Sequence, residues 1–220
     1  MVRRYSLSMH PYRTLGATSE IETAKIKGSR FLAYAAPVRT DDDVSEHLAG
    51  VQKLHHAARH VCWARVLGRD GDDTRARDAG EPSGSAGKPI LAAIQGRELT
   101  FVCVAVVRYF GGTKLGIGGL ARAYGGAAAE ALDSGTVVDV VPSFEVRAQV
   151  QYPLLDGVRA FAAREARSEA DAQYGAVVAL RWVVPASAAR GFADRLFDAT
   201  GGKVRPEIGD TLVEVGDPVP

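Results

Sequence analysis

Cysteine is nearly absent from this chain of 220 residues, Cys62 and Cys103 being the two it has. Both sit in apolar runs, so no disulfide framework holds the fold, and the chain reads as a protein of a reducing compartment, the cytoplasm. An excess of one charge is missing as well. The 27 Lys and Arg set against 26 Asp and Glu leave a net charge of +1. That supplies no general field for a polyanion, so any phosphate or nucleic-acid site has to be a local patch. No stretch approaches the roughly 18 consecutive apolar residues of a membrane span. Residues 1–12 are basic and polar without an apolar signal core, so no membrane contact and no export are expected.

What is present is ordinary for a folded domain. A hydrophobic fraction of 46% beside 24% charged residues sets aside disordered, collagen-like and coiled-coil chains. Around Gly28 and Ser29 two extended arms are expected, the second over 31–38. Asp41, Asp42 and Asp43 form the acidic first turn of a helix in which Val44, Leu48, Val51 and Leu54 share a face. Residues 61–67 (VCWARVL) read as a strand. Residues 68–80, rich in Asp, Arg and Gly, have nothing to bury and are expected to be an exposed mobile loop, cut first by proteases after Arg69, Arg75 or Arg77. A short helix over 86–95, an apolar strand over 99–107 and an alanine-rich helix over 120–132 follow. Gly125 and Gly126 in that helix suggest close packing of another backbone, and Gly135 is expected to cap it.

After Pro142 the pattern becomes strand 144–150, helix 153–167, strands 169–174 and 177–184, helix 187–200 and strand 203–215, with residues 216–220 expected to fray. The order βαββαβ is that of a ferredoxin-like domain, both helices on one face of a four-stranded antiparallel sheet. The chain is therefore read as α+β, in two domains, 1–142 and 143–220.

Glycine is the sharpest local anomaly: 11 of the 24 fall between Gly80 and Gly126. Over residues 82–125 the charges are Lys88, Arg97, Arg108, Lys114 and Arg122 against Glu98 alone. This stretch carries +4 and the rest of the chain −3. Within it RYFGGTKLGIGGLARAYG runs from an apolar strand through a side-chain-free turn into a helix. Free amides and the positive end of a helix dipole favour an oxyanion there, with Lys114 and Arg122 adding charge. The alternative is that the glycines serve only tight turns and close packing. Short motifs fail around this segment. Gly116, Gly118 and Ala121 have dinucleotide spacing without the strand and acid that should follow. GEPSGSAGK has the wrong spacing for a P-loop. Ser85 and Lys88 lack the companion elements of an acylating serine. His56, His60 and Cys62 lack a second pair of zinc ligands. Neither a metal nor a cofactor is called for.

The segments SRFLAYAAPV, HVCWA, DAGEPSGSAGKPIL and RYFGGTKLGIGGLARAYGGA closely resemble the YigZ/IMPACT family over nearly the whole chain. The resemblance implies an N-terminal α/β domain of the left-handed βαβ type, found also in a ribosomal small-subunit protein, elongation factor G and GHMP kinases. It implies a C-terminal ferredoxin-like domain similar to a module of elongation factor G. It also implies a link to translation, since eukaryotic members regulate it by competing for a ribosome-associated activator of a starvation-sensing kinase. Carried over by position, the motifs implicate Arg30, His60, Asp78, Glu81, Pro82, Ser83, Lys88, Arg108, Tyr109, Phe110, Gly111, Gly112, Lys114 and Arg122. Two positions depart from the family pattern. Ala79 replaces the second of two acids before Gly-Glu-Pro, and Arg65 replaces an aromatic after Cys-Trp-Ala, which takes away one ring able to stack on a base.

Three functions are weighed. The leading one is a non-enzymatic translation-associated binding protein that docks RNA, ribosomal phosphate or a translation-regulator protein through the glycine-rich basic face, with the ferredoxin-like domain as a second contact. The second is an enzyme acting on a small phosphorylated or acyl substrate, with Glu81 or His60 as base. The third is a protein-interaction module anchored by Tyr109 and Phe110.

Overall fold

The structure is a computed structural model that describes residues 10–165 and 168–218. Residues 1–9, which hold most of the basic start, and residues 166–167 and 219–220 lie outside the described residues. The chain forms two compact units, Tyr12–Asp139 and Val140–Val215. Each combines helices with a sheet, an α+β architecture.

The first unit is built on a sheet of order β2-β3-β6-β4-β5. Strands β3 (Arg30–Pro37) and β4 (His60–Leu67) flank β6 (Val102–Tyr109), both antiparallel to it, and helix α1 (Asp41–Leu54) joins them. Strand β2 (Ser19–Glu22) pairs with β3, and β5 (Asp73–Arg77) with the outer edge of β4. Helix α2 (Gly87–Gln95) leads from β5 into β6, and α3 (Gly116–Ser134) follows β6. Strand β1 (Tyr12–Leu15) is tied in by the Thr100 N–H, which donates to the Arg13 carbonyl at 2.9 Å.

Alternation along the strands sorts the side chains onto two faces. Phe31, Ala33 and Ala35, Cys62, Ala64 and Val66, and Val102, Val104 and Val106 pack under α2 and α3 against Ile90, Ile94 and Tyr124. Leu32, Tyr34, Ala105 and Val107 meet Val51 and Leu48 of α1 on the other face. The acidic start of α1 is a capping box: Thr40 Oγ1 accepts from the Asp43 amide at 3.1 Å, and the Asp43 carboxylate accepts from the Thr40 amide at 2.9 Å. The small residues of α3 let α2 approach, and a methyl on Gly125 would touch Pro89 at 3.4 Å. Gly126 faces open space, so the close approach expected at both glycines occurs at the first. Gly135 caps α3 as expected, in an extended conformation (φ −83°, ψ 155°), its amide donating to the Leu132 carbonyl at 3.3 Å.

The loop expected over 68–80 contains a strand, β5, over Asp73–Arg77. A ladder requires backbone groups, not apolar side chains, and the outer edge of β4 is completed by β5, whose charged side chains suit an edge strand. Arg65 fixes the arrangement. Its side chain is fully buried, and Nη1 donates to the Asp73 carbonyl at 2.9 Å and lies 2.8 Å from its carboxylate, while Nη2 sits 3.0 Å from Asp41. Position 65 thus clamps β5 and the start of α1 onto β4, and it is an interior position.

The second unit contains β7 (Val137–Val150, from Val140 on), a turn of 3₁₀ helix at Tyr152–Leu154, α4 (Leu155–Glu165), β8 (Ser168–Tyr174), β9 (Val178–Pro185), α5 (Ala186–Ala199) and β10 (Glu207–Pro218). Its own strands run β10-β7-β9-β8, the ferredoxin-like order, and β1 also pairs with β7, making five strands in that sheet. Val146, Ala148 and Val150 with Leu180, Trp182 and Val184 bury one sheet face against Leu155, Val158, Phe192 and Leu196 of the two helices. The final strand starts at Glu207 rather than 203, because Gly201 and Gly202 turn at φ +59° and +77° and Pro206 has no N–H to give a ladder. It runs to Pro218, into the segment expected to fray.

Candidate functional site

The implicated residues collect at one end of the first sheet, where β6 and β5 end and β3 and β4 begin. The registers set this: Arg108 lies opposite Phe31 on one side and His60 on the other, and Tyr109 opposite Arg30. Both α2 and α3 start at the same end.

Alternation then divides the residues between the faces. Arg108, in phase with Val106, and His60, in phase with Cys62, lie on the side of α2 and α3. Arg30 and Tyr109 lie on the side of α1. There the Arg30 fork grips Glu22 at 2.6 and 2.9 Å and its guanidinium sits 5.6 Å from the Tyr109 ring centre. Tyr109 Oη is 2.9 Å from His55 Nδ1, whose other nitrogen is 2.6 Å from Tyr34 Oη. Burial, followed by its hydrogen bond to Glu20, pushes the Tyr34 hydroxyl up to about 12. The motif therefore supplies two clusters, one on each side of the sheet.

On the α2/α3 side the centre is a buried ion pair. Arg108 Nη1 donates to Glu81 Oε1 at 2.7 Å, both side chains being at least 93% buried (7% and 5% exposed). Tyr124 Oη donates to the same oxygen at 2.8 Å, and burial drives its pKa far up. Ser29 Oγ accepts from the Gly111 amide at 3.1 Å and from Arg108 Nη2 at 3.4 Å. The guanidinium lies between two rings, 5.7 Å from Phe31 and 5.4 Å from Phe110, and its Nε has no partner among the described residues. Phe110 keeps 58% of its surface exposed.

Asp78 is also turned inward. Its carboxylate accepts from the amides of Gly84 (2.8 Å), Ala86 (2.9 Å) and Gly87 (2.8 Å), occupying the start of α2. Burial opposes the charge, yet these three amides, aided by Lys88, outweigh it and hold the carboxyl below its ordinary value of 3.8. Its carbonyl accepts from Cys62 Sγ at 2.9 Å, and burial raises that thiol to about 12. His60 Nδ1 donates to the Ala79 carbonyl at 3.0 Å, so in the neutral ring Nε2 carries the lone pair. Ala79 adopts φ +44°, a conformation that suits Asn or Asp better than Ala. Ser85 is fully buried and donates to the Pro82 carbonyl at 2.7 Å, a turn-closing role. A depressed Asp78 stabilises the fold above the ordinary aspartate range and loses that effect as pH falls through its lowered value. Asp78→Asn is thus expected to cost about 1–2 kcal/mol at neutral pH, a difference that shrinks in acid below 3.8. Urea unfolding of both proteins across pH checks this, and a gap that is flat with pH would refute it.

What remains open is the turn into α3. Gly112 and Gly116 hold φ +88° and +73° with empty space where a side chain would stand, and no side chain caps the helix. Lys114 is exposed just before it. Arg122 Nη1 lies 3.8 Å from where a Gly118 methyl would be, so the guanidinium reaches back over the first turn. Lys88 is exposed at the start of α2. Pro82 and Ser83 are exposed in the loop between β5 and α2. Among the described residues no group of three or more metal-ligating side chains occurs.

Residues 27–132 match the Impact N-terminal domain. IMPACT family member YigZ of Escherichia coli (strain K12) is 35% identical over 183 residues, 82% of this chain and 90% of that protein. The chain belongs to the IMPACT family. IMPACT family member YvyE of Bacillus subtilis (strain 168) is 41% identical over 131 residues, and the chain spans 60% of its length. A solved structure described as "Crystal structure of an hypothetical protein" superposes with a TM-score of 0.61 at 32% identity, covering 92% of this chain and 100% of that one. Two residues of this IMPACT-family site escaped the sequence reading, Ser29 and Tyr124. Tyr124 had a signal: it is the lone aromatic on an otherwise small-residue helix face shared with Leu120, Ala123 and Ala127. No described helix is long and apolar enough to cross a membrane.

Proposed function

We propose that this chain is a translation-associated binding protein whose glycine-rich turn before α3 takes phosphate of an RNA backbone. One observation carries the reading: the motif's two carboxylates are consumed internally. Asp78 caps α2 and Glu81 neutralises Arg108, while Arg97 is paired with Asp133. Apart from Glu98, which lies beyond the far end of α2, the exposed charge left on this stretch is cationic. Lys88, Lys114 and Arg122 have no carboxylate at ion-pair distance among the described residues, and the free amides at the start of α3 point the same way. The link to translation rests on the family resemblance. Glu81, with two hydrogen bonds ending on one oxygen in the interior, supports an anchoring role better than that of a catalytic base.

A handful of cations gives weak, salt-sensitive binding. Lys114→Ala and Arg122→Ala are each expected to weaken binding of labelled single-stranded RNA a few-fold, with little dependence on sequence. Each should lower the slope of log affinity against log salt by about 0.7 for every phosphate that the variant no longer neutralises. Titration at two salt concentrations measures this. Unchanged affinity in both variants would return the glycines to a packing role and favour a protein partner seated on the exposed Phe110 and Ile117.

A further inference from the structure

The helix-free face of the second unit's sheet holds a groove of about 780 Å³ that the reading above does not use. Its floor follows from the strand registers. Gln149 of β7 and Gln173 of β8 both lie opposite Ala179 of β9, and one step along Arg147 and Asp171 flank Arg181. With strands about 4.8 Å apart, the two glutamine amides stand on either side of a gap that the alanine methyl leaves unfilled. Neither amide has a partner among the described residues. The arginine row is held in place: Arg181 bonds Glu145 at 2.9 Å and Asp171 at 3.2 Å, and Arg147 bonds Glu145 at 2.5 Å. Lys203 and Arg205 line the same groove from the segment before β10. Lys203 has no carboxylate at ion-pair distance among the described residues.

We propose that this groove binds a short single-stranded RNA segment, a base edge between Gln149 and Gln173 over Ala179 and the adjoining phosphate at Lys203. Arg147 and Arg181 are balanced by Glu145 and Asp171, which leaves Lys203 and Arg205 against Glu207, an excess of one positive charge at the end of the groove where the phosphate is placed. Each glutamine offers donors and an acceptor, as base edges require, and the carboxylates of Asp171 and Glu207 accept from exocyclic amino groups. The side chains of an acidic peptide present acceptors alone and meet those carboxylates as like charge. A duplex turns its base edges inward, away from the glutamines.

The test uses the full-length chain, isotope-labelled and carrying Lys114→Ala and Arg122→Ala, so that the cations at the turn before α3 play no part. A short single-stranded RNA is titrated while backbone amides are followed by NMR. Shifts centred on Gln149, Gln173 and Ala179 are expected. Ala179→Leu fills the gap at an exposed strand position without changing charge, and should raise the dissociation constant on the order of fivefold to tenfold. Lys203→Ala should weaken binding less and lower the salt slope by about 0.7. Amide dispersion of each variant checks that it folds. Shifts elsewhere, an Ala179→Leu variant that binds as before, or a glutamate peptide that displaces the RNA would each overturn the proposal. Because the background already lacks Lys114 and Arg122, the groove stands or falls apart from the turn before α3.

Discussion

Gly111→Ala is expected to destabilise the first unit by about 4 kcal/mol or more, at the extreme end of single substitutions. The reason is spatial. A Cβ at position 111 would stand 1.9 Å from the Gly28 carbonyl carbon, 2.2 Å from the Ser29 nitrogen and 2.3 Å from the Gly28 oxygen. All three are backbone atoms, so no rotamer change relieves the clash. The hairpin before β3 would have to lift off the end of β6, breaking the Gly111 amide to Ser29 Oγ bond and uncovering Arg108. Gly112 makes the control. It has φ +88° and nothing within reach of an added methyl, so Gly112→Ala should cost only about 1–2 kcal/mol of backbone strain. Urea unfolding followed by circular dichroism measures both. Similar small losses at the two positions would mean that the close approach of residues 28 and 111 does not hold in solution.

Those adjacent glycines show how far the sequence could be read. The string GG announces a turn, but which glycine serves space and which serves conformation depends on a hairpin some 80 positions earlier. Strong periodicity made α1 and the βαββαβ order of the second unit legible: Val44, Leu48 and Val51 turn inward as their spacing predicts, whereas Leu54, expected on the same face, closes the helix 68% exposed. Strand β5 was not legible, because an edge strand is specified by the hydrogen-bonding needs of β4 and by Arg65 reaching Asp73, neither of which is a property of DTRAR itself. At the site, strand alternation alone divides Arg108 and His60 from Arg30 and Tyr109 once β3, β4 and β6 are known to be neighbours. What no local pattern supplies is that Asp78 and Glu81 turn inward. Their partners, the amides opening α2 on one side and Arg108 with Tyr124 on the other, are set by packing, and only that packing separates the motif's anchoring charges from its free ones.

Arg108→Ala should cost about 3–5 kcal/mol, because it strands the Glu81 carboxylate in the interior with one neutral donor, Tyr124, in place of a cation. The loss is asymmetric. Removing both charges with shape-matched apolar residues, Arg108→Met with Glu81→Leu, should recover much of the stability, since desolvating an ion pair offsets most of its attraction. The double variant is thus expected to be more stable than Arg108→Ala, although Tyr124 Oη then lacks its acceptor and keeps a residual penalty of about 1–3 kcal/mol. Adding Tyr124→Phe to the double variant removes that hydroxyl and should restore part of the difference. Chemical unfolding of the set reads these values as one thermodynamic cycle. If Arg108→Ala alone proves nearly neutral, Arg108 is solvated and free to meet a ligand, and the separation of this edge into an internal Arg108–Glu81 anchor and exposed Lys88, Lys114 and Arg122 fails with it.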